Sequence, residues 1–491
     1  MDQWIVVLGF IFAWVMAMMH GANDVANSFA TSVGSKVVTV PQAVILAGVF
    51  NLIGAVSMSG EVTDTIRKDI VDLKAFPDNN EGTNQSILGG LIGATIAAHG
   101  SSSVTWYSNN VCEYNTESSK LSCGGLVGII IQWFMAPVVA LVFAILLFLI
   151  SRKVLLTATT EQVKARGASY ISFLIGSVVF LVSWFVVVQE QNHPHSNGWD
   201  PSDPANYVNG ASTLEVVFCV MLGFMVAFFA HVAFSIHPWL LKQNALVLAN
   251  QGPSWFSKLS NFDHTTLFGQ VKNDLDSPLH VDPEDEEYPG ALFETEGAFG
   301  KEDTDVQAIH EKAEVYSEEA EQVFGAAQVL TACLAAFSHG ANDVANEVAP
   351  LATIYQCWND GSERSWHNGK VESPKWIYAY AGVAIALGIF LFGKRVMQTL
   401  GQDITKVTPG RGFNVEMGYS LASLVSSAEG WPVSTTQLAV GAVIGVGLVS
   451  GDGIKSINLK LFGKIFFSWA MTPLITGLVA GLLYGMLQMT I

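Results

Sequence analysis

"WIVVLGFIFAWVMAMMHGANDVAN", Trp4 to Asn27, couples an apolar run of membrane-spanning character to a polar octapeptide that begins at His20. The octapeptide "HGANDVAN" returns unchanged from His339 to Asn346, again behind an apolar run, "VLTACLAAF". On a helix, His20, Asn23 or Asp24, and Asn27 fall at i, i+3/i+4 and i+7, so they share one face. Gly21, Ala22 and Ala26 leave the other faces small enough for close helix packing. A carboxylate at membrane depth costs at least ~2.5–3.5 kcal/mol on insertion scales, so Asp24 and Asp343 call for a functional explanation. The blander alternative, Asn and His acting only as hydrogen-bonding glue between helices, accounts poorly for an eight-residue match. His20 with Asp24, and His339 with Asp343, also have metal-ligand spacing, but no third ligand for a transition metal is evident.

Composition supplies the setting. Half of the residues are hydrophobic and only 13% are charged, against about a quarter in soluble proteins. Apolar stretches recur at 4–30, 41–59, 87–106, 126–150, 171–188 and 214–241, then at 323–349, 376–392, 415–428, 433–449 and 461–489. The first lacks the basic n-region and cleavage site of a signal peptide and reads as a retained helix. Of the net charge of −18, −15 lies between Asn273 and Glu321, where 17 Asp or Glu face two Lys. That run reads as a solvated, largely disordered loop, so overall acidity says nothing about the substrate. No basic, aromatic-interleaved patch points to nucleic acid. The five cysteines form no C-x-x-C pair, which excludes a zinc ribbon or a disulfide framework. Cys112 and Cys123 are either free thiols or a pair in an oxidising compartment.

Lys and Arg in the short loops orient the chain. Arg152, Lys153, Lys164 and Arg166 follow one apolar stretch, and Lys394, Arg395, Lys406 and Arg411 follow another, whereas the loop 189–213 has none. Placing the basic loops in the cytosol puts the acidic loop there too. Both termini then lie outside if 87–123 and 415–449 make no net crossing and form re-entrant hairpins, with Arg67, Lys68 and Lys74 on the outer side. The first octapeptide helix runs inward and the second outward, the pattern of secondary transporters with a site between the halves. The expected fold is an all-α polytopic membrane protein, an inverted-topology repeat with about 10–12 membrane segments including two re-entrant hairpins. Residues 1–250 form the N-terminal membrane half, 251–321 the acidic loop and 322–491 the C-terminal membrane half. Asn84, in the sequon "NQS", falls in an outer loop and is a candidate glycosylation site.

A second polar element, "GWPVSTTQ" from Gly430 to Gln437, interrupts the penultimate apolar stretches. Pro432 breaks the helix, and Ser434, Thr435 and Thr436 open a new one, whose free N–H groups, hydroxyls and positive dipole end suit an oxyanion. The structural alternative is a proline kink whose hydroxyls back-bond to carbonyls. Glu416 and Glu429 lie nearby in sequence and, with Asp24 and Asp343, could hold sodium ions or a proton.

At these residues the chain resembles the inorganic phosphate transporter (PiT) family, the type III sodium-dependent phosphate cotransporters. The matching pieces are both "GANDVAN" copies, "VTDTIRKDIVD" (Val62 to Asp72), "APLATIYQ" (Ala349 to Gln356), "TLGQDITKVTPGRGF" (Thr399 to Phe413) and "PVSTTQ". The resemblance implies proton- or sodium-driven phosphate uptake, an outside N-terminus and a cytosolic central loop. The first hairpin departs from it: members carry P-[VI]-S-x-T-H where this chain reads "AAHGSSSVTWYSNN", with Ser101, Ser102, Ser103 and Thr105 as candidate substitutes. Many animal members also carry Glu where this chain has Asn51, the position matched in the second half to Glu416.

The expected function is therefore inward symport of inorganic phosphate with sodium, at a plasma membrane. Ser434, Thr435, Thr436, Asn27 and Asn346 are the substrate ligands; Asp24, Asp343, Asn23, Asn342 and Glu416 are the ion ligands, with sodium at Asp24 and Asp343. No cofactor beyond co-transported sodium is expected, and lipid is the surrounding partner, with homodimerisation left open. The rivals are a proton-coupled or sulfate-carrying member and a transporter-like phosphate sensor. The chain carries no nucleophile–base pair or nucleotide loop, so it is not expected to be an enzyme.

Overall fold

The computed structural model describes residues 3–69, 113–115, 120–122, 125–192, 207–208, 211–212, 219–228, 231, 313–359, 373–393, 404–451 and 453–490. Asn84, the first hairpin around Ser101 to Thr105, Cys112, Cys123 and most of the acidic loop lie outside them. The described chain is nearly all helical: α1 (Gln3–Gly34), α2 (Val40–Met58), α3 (Gly60–Asp69), α4 (Gly125–Ser151), α5 (Thr160–Asn192) and a short α6 (Cys219–Phe228). The second half holds α7 (Glu318–Asp343), α8 (Ala345–Asn359), α9 (Lys375–Phe392), α10 (Pro409–Ala428), α11 (Thr435–Val449) and α12 (Leu459–Thr490). Two small antiparallel hairpins, Glu113–Asn115 with Lys120–Ser122 and Tyr207–Val208 with Ala211–Ser212, complete it.

Local chemistry sets the helix ends. Gln42 Oε1 accepts from the Thr39 N–H at 2.9 Å to open α2, and the Ser317 side chain accepts from the Ala320 N–H to open α7. Pro409 at the start of α10 needs no N–H partner there. Val344, between α7 and α8, keeps right-handed dihedrals (φ −57°, ψ −26°), so the second octapeptide is carried on a rod with only a mild interruption.

The burial pattern inverts that of a water-soluble protein. Val7, Ile11, Val15 and Met19 on α1, and Ile45, Val49 and Ile53 on α2, are exposed at four-residue spacing. Meanwhile Asp24, Asn27, Ser28, Thr31 and Ser32 are buried. An apolar exterior around a polar interior is stable only when the surrounding solvent is hydrocarbon. Among the described residues, seven helices are long and apolar enough to cross a bilayer, so this is a nearly all-helical, multi-pass membrane protein.

The two halves interlock crosswise. α1 packs chiefly on α9, and α7 packs extensively on α2 and α10. A Cβ on Gly21 would fall on the Ile385 carbonyl, and one on Gly340, the same octapeptide position, on the Asn51 carbonyl. One turn further along the partner helices the relation reverses: Gly388 meets the Met18 carbonyl and Gly54 the Phe337 carbonyl. These backbone approaches are closed to any side chain, the small-residue packing that joins helices in lipid. By packing, Asn51 and Ile385 stand alike, each under the glycine of the opposite octapeptide.

The end of the acidic stretch is ordered, unlike its expected reading through residue 321. Ala313 bridges to Gly451, and the Glu314 N–H donates to Ser450 O at 3.0 Å. Arg152 pairs with Glu314 Oε2 at 2.8 Å, and buried Arg411 donates to the carbonyls of Glu314 and Ser450. The Arg411 guanidinium lies 5.0 Å over the Tyr316 ring. Burial pushes the Tyr316 phenol up to about 12, so it stays a neutral donor to Glu314 at 3.1 Å.

Candidate functional site

The octapeptide helices bring their polar faces together. His20 Nε2 lies 3.0 Å from Asp24 Oδ2 in its own copy and 3.6 Å from Asp343 Oδ2 in the other. His339 Nε2 repeats the relation, 2.9 Å from Asp343 Oδ2 and 3.6 Å from Asp24 Oδ2. The helical period that placed these groups on one face of each helix thus delivers all four to one point. Asp24, Asp343 and His339 are buried, while His20 retains 20% of its side-chain surface.

Each member has an outer partner. His20 Nδ1 is 2.7 Å from Glu347 Oε1, and His339 Nδ1 is 2.9 Å from Asn51 Oδ1. Asn23 donates to Asp24 Oδ1 at 2.6 Å, and the Thr435 hydroxyl donates to Asp343 Oδ2. Glu347 escaped the sequence reading because it follows the last repeated residue. Its position four residues after Asp343, on the same helical face, was the available signal.

The α10–α11 turn supplies the other wall. Gly430 takes φ +70°, a left-handed conformation glycine enters without a Cβ clash, and α11 then starts behind Pro432 with Ser434 as its N-cap. The Ser434 side chain accepts from the Gln437 N–H at 3.4 Å. Asn27 Nδ2 reaches Thr436 Oγ1 at 2.9 Å and Thr435 Oγ1 at 3.3 Å. The first octapeptide and the α11 N-terminus therefore form one continuous polar surface that includes Asp343.

Other expected ligands stand differently. Asn342 donates to Trp431 O at 3.0 Å and Ser427 Oγ at 3.2 Å, and accepts from the Val433 N–H. With both amide atoms so used, it clamps the α10–α11 turn. Glu416 receives donors from Thr31, Ser32, Thr331 and Gln328 at 2.6–3.1 Å. These four hydrogen bonds make Glu416 a buried tie between α1, α7 and α10. Asn346 is half-buried and its side chain makes no hydrogen bond among the described residues, and Asn23 is exposed beyond its contact with Asp24.

An apolar exterior, a charged cluster where two repeated helices meet, and an oxyanion-suited helix start together define a membrane transport protein. The family model described as "Phosphate transporter family" matches residues 20–84 and 80–480, and the chain belongs to that family. Among its relatives, the phosphate-repressible phosphate permease pho-4 of Neurospora crassa is 26% identical, covering 99% of this chain and 97% of the relative. Sodium-dependent phosphate transporter 1 of Mus musculus is 23% identical, covering 98% and 94%. A solved structure described as "The sodium-dependent phosphate transporter" shares the fold with a TM-score of 0.67 at 24% identity, across 100% of both chains.

Proposed function

We propose that this protein imports inorganic phosphate across the plasma membrane by symport with sodium. The observation that carries the reading is the hydrogen bond from Thr435 at the α11 N-terminus to Asp343, whose carboxylate shares the His20 and His339 rings with Asp24. A dianion entering low dielectric needs compensating cations. Two carboxylates beside the phosphate site attract those cations and repel the anion when they are absent, which couples the two loads. Thr436, Ser434 and the α11 N–H groups, with Asn27 behind them, are the phosphate-facing groups. Asp24 and Asp343, with Asn23, are the sodium-facing ones. The crosswise packing of equivalent glycines supports an inverted repeat whose halves rock against one another.

His20 and His339 beside the carboxylates favour one second reading, coupling to protons, since imidazole changes charge near neutral pH. Radiolabelled phosphate uptake into proteoliposomes decides between them. A sodium gradient at equal pH should drive accumulation, and a pH gradient without sodium should not. Accumulation driven by pH alone establishes the second reading, and accumulation of sulfate in place of phosphate overturns both.

A further inference from the structure

The residue that follows each octapeptide breaks the repeat. After Asn27 the chain has Ser28, after Asn346 it has Glu347, and both are buried. The outer partners of the two histidines differ as well. His20 Nδ1 meets the Glu347 carboxylate at 2.7 Å, whereas His339 Nδ1 meets a neutral amide oxygen, that of Asn51. His20 is thereby shared among three carboxylates, with Asp24 and Asp343 on its Nε2 side at 3.0 and 3.6 Å.

The charges of this cluster do not cancel. Two imidazoles carry at most two positive charges, against three negative ones on Asp24, Asp343 and Glu347. Even with His20 and His339 fully paired to the aspartates, one negative charge is left, and a phosphate entering beside it brings at least one more. In low dielectric such an excess must be offset by cations, because solvent does not screen it. Glu347 has an atom to offer one: its Oε2 is buried without a hydrogen-bond partner, as is Oδ1 of Asp343 one turn earlier on the same face.

We propose that Glu347 is a third acidic member of the coupling site and that its charge adds one sodium ion to the load carried with each phosphate. The inference rests on the symport reading, which gives the site to sodium without fixing how many ions accompany each phosphate. Asp24 and Asp343 recur in both octapeptides and are matched by the two imidazoles. Glu347 has no acidic counterpart in the first half, and its only ionic partner among the described residues is His20, already shared with the aspartates. A carboxylate that merely held the His20 ring would change how tightly the site binds. One that counts toward the load changes the number of ions taken up.

That number is read from phosphate binding to the purified full-length chain in detergent, without any transport measurement. Calorimetric titration with inorganic phosphate is repeated at a series of sodium concentrations below saturation, at one pH and at constant ionic strength set with choline. The slope of log affinity against log sodium concentration counts the sodium ions taken up with phosphate. Glu347→Gln should lower that slope by about one, so that a tenfold rise in sodium gains roughly tenfold less affinity than in wild type. Glu347→Asp keeps the charge and should keep the wild-type slope, whatever it costs in affinity. An unchanged slope in Glu347→Gln overturns the proposal and leaves the symport reading standing; the same loss of slope in Glu347→Asp traces it to shape instead of charge and also overturns the proposal. Should Glu347→Gln fail to fold or to bind phosphate, the wild-type slope decides. Phosphate and Glu347 each call for a cation, so a slope of about two or more supports the proposal and one of about one overturns it. A wild-type slope of zero overturns the symport reading, and the proposal with it.

Discussion

His20 and Glu347 stand 327 residues apart in sequence and 2.7 Å apart in space. The contact ties the first octapeptide to the residue just past the second, so neither half completes the site alone. Asp24 and Asp343 sit on either side of this tie, within reach of both imidazoles.

Asp24→Asn and Asp343→Asn each remove one charge from that cluster while keeping shape. If the carboxylates compensate the driving cation, phosphate uptake should fall below about a tenth of wild type with the protein still at the membrane. Uptake at half or more in both variants would show that the repeat is structural only.

Ser434→Ala and Thr436→Ala remove hydroxyls from the start of α11. Each should raise the phosphate concentration for half-maximal uptake roughly ten- to more than a hundredfold. Alanines at Ser101, Ser102 and Ser103 should matter much less, because no proline-initiated turn accompanies them in the sequence. Equal sensitivity of the two sets, measured side by side, argues for two equivalent hairpins.

Gly21→Ala and Gly340→Ala drive a methyl group into a facing carbonyl, that of Ile385 or Asn51. Overpacking of this kind costs ~1–3 kcal/mol or more, and the two variants should lose unfolding temperature to similar extents. Gly463→Ala meets nothing within 4 Å and serves as the control. Wild-type melting of either octapeptide variant in detergent would refute the crosswise contact.

Arg411→Ala removes the donor to the Glu314 carbonyl, one of two donors to the buried Ser450 carbonyl, and the cation over Tyr316. A loss of roughly 2–5 kcal/mol is expected. Arg152→Ala breaks a pair in which both side chains are about one-third exposed, worth only ~0–1 kcal/mol. Thermal unfolding that ranks Arg152 above Arg411 would contradict this ordering.

Much of the site was legible because it is local. The 3.6-residue period puts His20, Asp24 and Asn27 on one face, and Pro432 with Ser434 marks a helix start in the sequence itself. What sequence alone did not give is lateral. Nothing in the period of α1 says that its small face meets α9 rather than α2, since in lipid either neighbour is equally apolar. Asn51 therefore gave no hint that it would anchor His339, nor Glu416 that four hydroxyl and amide donors would surround it. Glu314 and Tyr316 read as loop because their anchors, Arg152 and Arg411, are distant in the chain.

The crosswise glycine contacts also join parts of the chain that are synthesised far apart in time. α1, which carries Asp24 and His20, is made well before α7 and α8, which supply the groups that shield them. At about 5–20 residues per second, the 327 residues from His20 to Glu347 take roughly 15–65 s to translate. Through that interval a charged helix must be sheltered by the insertion machinery, by lipid headgroups or by transient neighbours. A ribosome that stalls before the second octapeptide leaves a half-protein whose Asp24 has only His20 and Asn23 of its own helix as partners, a natural target for membrane quality control.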